Sequence, residues 1–187
     1  MIKNFLSYTF ELAKVVLISL AIIIPVRYYL IQPFYVKGAS MEPNFYDKEY
    51  LIIDELSYRF HEPARGDIVV FRYPLNPDEY FIKRVIGLPG EKVQIKDGGV
   101  YLFNSAHPDG VKLDEPYLAA EVKTYSLNEE ITALSSSQYY VLGDNRNASK
   151  DSRSFGPVDQ KFLTGRVLFR GWPFNRLDVF SAPQYSY

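Results

Sequence analysis

Phe81-Ile82-Lys83-Arg84-Val85-Ile86-Gly87-Leu88-Pro89-Gly90 is an apolar, β-type run that carries two consecutive basic residues and stops at a Leu-Pro-Gly turn. In a strand of period two, Phe81, Lys83 and Val85 share one face and Ile82, Arg84 and Ile86 the other. Each basic residue therefore sits among apolar neighbours, and one face must bury a charge or expose hydrophobes. If this is an edge strand, both basic side chains simply reach solvent. If Lys83 lies on a core face, desolvation lowers its pKa and leaves a neutral amine able to act as a base near neutral pH.

Outward from this run the pattern stays β. Residues 34–37, 50–54, 67–72, 80–86, 92–95, 100–103, 139–142 and 166–170 are short runs rich in Val, Ile, Phe and Tyr. Many are separated by turn signals such as Arg65-Gly66-Asp67 and Asp97-Gly98-Gly99. Short strands at this spacing predict a mainly β domain. Residues 104–137, with frequent Asp, Pro and Ser, form the least structured stretch by pattern. Residues 92–138 are expected to be a small subdomain inserted between two halves of the core.

Ahead of the β region, Val15 to Val26 is almost wholly apolar. At ~1.5 Å per residue that run reaches about 18 Å, short of a hydrocarbon core of about 30 Å. A helix beginning near Phe5 spans if Glu11 pairs with Lys14 and if Lys14 and Arg27 snorkel to opposite interfaces. Tyr28 and Tyr29 then fall in an aromatic belt. A cleavable signal peptide needs small residues just past its apolar core, and here Pro25-Val26-Arg27-Tyr28-Tyr29 stands there instead. An uncleaved anchor over residues 1–29, with a domain over residues 30–187, is the expectation. Shortly after it comes Gly38-Ala39-Ser40-Met41-Glu42-Pro43. Gly-Ala-Ser is common in ordinary turns, but here the hydroxyl follows an anchor by about ten residues and lies close to the membrane surface, where an emerging chain would meet it.

The polar segment Gly143-Asp144-Asn145-Arg146-Asn147-Ala148-Ser149-Lys150-Asp151-Ser152-Arg153 follows the apolar run at 139–142. As a calcium loop it fails, because Arg146 occupies a position that needs an oxygen ligand. Its density of acids, hydroxyls and arginines suits a hydrogen-bonded network that holds another side chain in place. Lys+Arg 21 against Asp+Glu 22, a net charge of -1, gives no basic excess for nucleic acid. With no cysteine, disulfides and thiol nucleophiles are excluded. His61 and His107 have no metal-ligand spacing, so neither a metal nor a cofactor is expected.

Taken together, residues 34–43, 67–72, 81–91 and 143–158 resemble the successive conserved boxes of the bacterial type I signal peptidases of the Ser/Lys dyad type. The resemblance implies a signal-peptidase-like coiled β-sheet core with a small inserted subdomain, preceded by one transmembrane helix. It further implies a serine endopeptidase on the outer face of the bacterial cytoplasmic membrane, with signal-peptide-bearing preproteins and the lipid bilayer as partners. On the matching positions Ser40 is the nucleophile and Lys83 the general base. Ser149 matches the serine that hydrogen-bonds the lysine, with Asp151 and Arg153 in support. The backbone N–H of Ser40 is one oxyanion donor, and Gly38 stands where some relatives supply a hydroxyl. Phe34, Val36, Met41, Tyr80 and Ile82 match substrate-pocket positions that admit small residues one and three places before the cut. Asn44 replaces a threonine common among relatives, a change expected not to touch the chemistry. A membrane-bound relative that binds without cutting, or a peptidase with a dedicated or self-cleaved substrate, are the alternatives.

Overall fold

The structure, a computed structural model, describes residues 2–29, 31–183 and 185, with side chains described for these except 2–7, 25–29, 31 and 32. It is mainly antiparallel β. The main sheet runs β1 (Ile31–Tyr35), β2 (Tyr50–Asp54), β11 (Leu163–Trp172), β3 (Ile68–Tyr73), β4 (Asn76–Gly87), β9 (Gln138–Leu142) and β10 (Val158–Asp159), with β12 (Asp178–Val179) on β11. A second sheet, in the order β7 (Val111–Lys112), β6 (Gly99–Phe103), β5 (Lys92–Lys96), β8 (Thr132–Ala133), is inserted between β4 and β9. β7 and β8 fall in the segment whose pattern reads as the least structured. Two-residue strands carry too little periodicity to be seen in sequence.

Alternation along β4 and β3 separates two cores. Ile68, Val70 and Ile82 pack with Val36, Met41, Phe45, Leu51 and Ile53. On the opposite face Val69, Phe71, Phe81 and Val85 pack with Tyr139, Val141 and Val158. A third cluster joins Ile86, Tyr140 and Leu142 of the main sheet to Val93, Ile95, Val100 and Leu102 of the second. Both faces of β4 are therefore covered, and Lys83 and Arg84 are buried at 3% and 4% exposure. The solvent-facing edge reading fails because the inserted sheet and the 143–155 segment close over this strand.

Four successive antiparallel pairings, β1 on β2, β2 on β11, β11 on β3 and β3 on β4, leave β1 and β4 parallel. β4 pairs with β9 only from Arg84 onward. Among the described residues, its earlier part and the outer side of β1 are thus open edges.

α1 (Ile2–Tyr29) is a helix of 28 residues. Val15, Leu17, Ile18, Ile22 and Ile23 are exposed along it. Among the described residues no helix is long and apolar enough to cross a membrane. The expected interfacial roles of Arg27, Tyr28 and Tyr29 lie outside the described side chains.

Candidate active site

Lys83 emerges from β4 opposite Val69 of β3, beside fully buried Val85. Its Nζ donates to Ser40 Oγ at 2.7 Å and to the Ile82 carbonyl at 2.7 Å. Burial is the main influence on this amine and pushes its pKa down to about 8, against the upward pull of Asp151 and Asp144. A lysine near this value supplies free amine at neutral to mildly alkaline pH, already bonded to the hydroxyl it would deprotonate.

Ser40 sits on a turn held from three sides. Gly38 adopts φ +85°, a left-handed conformation that lets the chain leave β1, and its N–H donates to Asp47 Oδ1 at 2.8 Å. The Ala39 carbonyl accepts from Glu42 N–H at 3.1 Å and from Asn145 Nδ2 at 3.0 Å, while the Ser40 carbonyl accepts from Asn145 N–H at 3.1 Å. Arg170 Nη1 donates to the Asn44 carbonyl at 2.8 Å. No acceptor among the described residues takes the Ser40 N–H, leaving it free for an oxyanion.

The 143–153 segment closes behind the pair. Asp151 is fully buried and caps α2 (Ser152–Phe155), accepting from Arg153 N–H at 3.2 Å. It also accepts from Arg153 Nε and Nη2, each at 2.8 Å, and from Gly143 N–H at 3.0 Å. Burial works to raise this carboxyl, but the Arg153 guanidinium and the Gly143 N–H hold it below its ordinary value. Asp151 thus stays an anion near Lys83. Ser149 Oγ is buried with no hydrogen bond of normal geometry; its expected bond to Lys83 is not made, the amine donating to Ser40 and to the Ile82 carbonyl. Gly143 is required for closeness: a Cβ there would lie 2.2 Å from Ser149 Oγ and 2.4 Å from the Ser40 carbonyl oxygen.

Arg84, on the other face, holds Asp144 through Nε at 2.8 Å and Nη2 at 2.6 Å, and stacks 3.8 Å above the Tyr117 ring. Asn44 Nδ2 donates to Asp144 Oδ2 at 2.8 Å and to the Tyr117 carbonyl at 3.1 Å, so it joins the nucleophile turn to this network. Arg146 bonds the Gly143 carbonyl at 3.0 Å together with Glu115 and Thr124, and Arg153 Nη1 reaches the Tyr125 carbonyl at 3.1 Å. Sequence reasoning missed Glu115, Tyr117 and Thr124, since nothing near them in sequence marks a partner some 20 to 30 residues away.

A cleft of about 590 Å³ opens between β1 and β4 with Ser40 and Lys83 in its wall. Phe34, Val36, Tyr80 and Ile82 line it. Phe34 meets Tyr80 edge-on with ring centroids 5.4 Å apart. Met41 does not line it: at 1% exposure it is packed behind the wall with Val36 and Phe45, because the turn directs it into the core. Gly38 is exposed and also outside the lining. Among the described residues no group of His, Asp and Glu could hold a metal ion.

A serine hydroxyl bonded to a buried lysine, beside a cleft walled by β1 and β4, is the chemistry of a serine peptidase that takes its substrate extended. The chain belongs to the signal peptidase family, peptidase S26, whose model it matches over residues 9–172. It is 38% identical over 174 residues to a probable signal peptidase I-2 of Synechocystis sp., covering 90% of this chain and 76% of that protein. Signal peptidase IB of Staphylococcus aureus is 34% identical over 197 residues, covering 97% of both. A crystal structure of a signal peptidase I from Enterococcus faecalis is similar with a TM-score of 0.47 at 33% identity, over 57% of this chain and 97% of that one.

Proposed function

We propose that this signal peptidase I removes N-terminal signal peptides from exported preproteins, with Ser40 as nucleophile and Lys83 as general base. The observation that carries the reading is the 2.7 Å Lys83–Ser40 bond at the head of the cleft. The parallel open edges of β1 and β4 accept one extended peptide by main-chain pairing. A peptide parallel to both runs its residues before the cut back toward the start of β1, where α1 ends; this brings the apolar part of a signal peptide to the membrane. Its residues one and three before the cut face Val36, Leu51, Val70 and Ile82, an apolar wall that leaves room for small side chains.

Lys83 Nζ takes the proton of Ser40 Oγ as the oxygen bonds to the scissile carbonyl carbon, and the Ser40 N–H donates to the oxyanion. The amine of the mature protein leaves with that proton, giving an acyl-enzyme. A water, losing its proton to Lys83, then frees the signal peptide and restores Ser40. Asp151, held by Arg153, keeps a negative charge near the lysine, and Ser149 stands buried behind the pair. Residues 1–29 anchor the chain and residues 30–187 form the catalytic unit, with 92–138 as its inserted subdomain. The all-round exposed apolar side chains of α1 support a single membrane-embedded pass, Lys14 reaching to an interface, with catalysis on the outer face of the bacterial cytoplasmic membrane.

The test is cleavage of a precursor with an Ala-x-Ala site by the detergent-solubilised chain and by Ser40→Ala, with mass spectrometry of the products. A cut after the second alanine, lost in Ser40→Ala, is expected. A folded native chain that leaves the precursor whole would move the reading to the non-cleaving alternative.

A further inference from the structure

Two ammonium groups line the cleft in addition to Lys83: Lys37, just past β1, and Lys150, between Ser149 and Asp151. No carboxylate among the described residues lies within ion-pair distance of either. Asp151, next to Lys150 in sequence, is already consumed by Arg153 and Gly143. Lys150 Nζ instead stands 4.3 Å above the Tyr73 ring and 6.0 Å from the Phe81 ring centre.

Tyr73 and Phe81 stack on each other, and Phe81 belongs to the β4 face that carries Lys83, opposite the face of Val70 and Ile82. Lys37 follows core-facing Val36 and so points to that same side in an extended chain. A peptide strand between β1 and β4 alternates in the same way. Its residues one and three before the cut face Val36 and Ile82, and the residue between them faces the side of Lys37, Lys150 and the aromatic pair. The acids that also line the cleft, Asp78 and Glu79, lie five and four residues before Lys83, about 16 and 13 Å back along the strand. Glu79 is engaged by Asn76 Nδ2 at 2.7 Å.

We infer that Lys37 and Lys150 are specificity-determining residues that select a carboxylate side chain at the middle position of the cleavage site, the residue two before the cut. The inference rests on the cleft being the signal-peptide site.

The experiment compares three precursors, identical except for Glu, Gln or Lys at that position, as substrates of the full chain and of Lys37→Gln, Lys150→Gln, the double variant and Lys150→Glu. For the native chain kcat/KM for Glu should exceed that for Gln by about three- to fivefold, the size expected for a partly exposed ion pair. Lys should fall below Gln, and added salt should shrink the spread. The Glu-to-Gln ratio should approach one in the double variant, and Lys150→Glu should reverse the order of Glu and Lys. Equal turnover of Glu and Gln precursors by the native chain, or a preference that survives in the double variant, overturns the inference while leaving the peptidase reading intact. If none of the three precursors is cut, that reading falls and the inference with it.

Discussion

Lys83 owes its basicity to what covers it. Its folded pKa of about 8 lies below its ordinary 10.5 because burial disfavours the ammonium. Cleavage should therefore rise with pH and level off above about 8, as read from kcat/KM over a pH series. The same shift has a stability sign. Between the folded and unfolded values only the unfolded chain binds the proton, so unfolding free energy climbs with pH through that window and the cost of the buried charge is fully present below it. Lys83→Met, which keeps the bulk and removes the charge, should abolish turnover yet be more stable near pH 7, by at most on the order of 3 kcal/mol in denaturant titration. A Lys83→Met enzyme with near-native turnover would end the assignment. The lysine was conspicuous in sequence, since a charge inside an apolar run is rare; that it is buried was not, because both readings of the strand fit the same alternation.

At the scale of elements, the Ser40 turn and the 143–153 segment meet at backbone distance. Gly143→Ala would press a methyl group into the Ser40 carbonyl and Ser149 Oγ. Cleavage should fall below detection while circular dichroism stays β-rich; wild-type turnover would show that the segment gives way freely. Asp151→Asn removes the larger of the two carboxylate influences that raise the Lys83 pKa. The residual activity should keep its acid limb but at lower pH than native, and an unmoved limb would separate Asp151 from the lysine. The density of polar residues in this segment was legible as a network. Its true extent, through Arg146 to Glu115 and Thr124, was not.

At the scale of the whole molecule, the inserted sheet shares a core with β4 and β9 and sends Glu115 and Tyr117 to the loops that carry Asp144 and Arg146. Glu115→Ala leaves a buried guanidinium without its carboxylate, so a loss of about 3 to 5 kcal/mol is expected. The checks are thermal unfolding and a matching drop in turnover; an unchanged melting temperature would show that the insertion does not brace the site. Replacing Leu17 and Ile23 of α1 by lysine should release the chain from vesicles under carbonate extraction while peptide cleavage in detergent persists. Retention on the vesicles would place the membrane contact elsewhere.

The sequence by itself determined the β class, through period-two runs separated by glycine and proline turns, and marked Ser40, Lys83 and the 143–153 segment by their order along the chain: a serine turn close after an apolar run, a lysine inside an apolar strand and a dense polar segment. Strands of five or more residues were located from the same runs, but the starts of β1, β4 and β11 lay three to four residues ahead of the sequence ranges. Only the tertiary structure decided that Lys83 and Arg84 are both buried, that Met41 lies behind the cleft rather than in it, and that Asn44, Glu115, Tyr117 and Thr124 belong to the site's frame. Those outcomes depend on which surfaces cover which strands, and that is set by contacts between segments dozens of residues apart, on which local periodicity is silent.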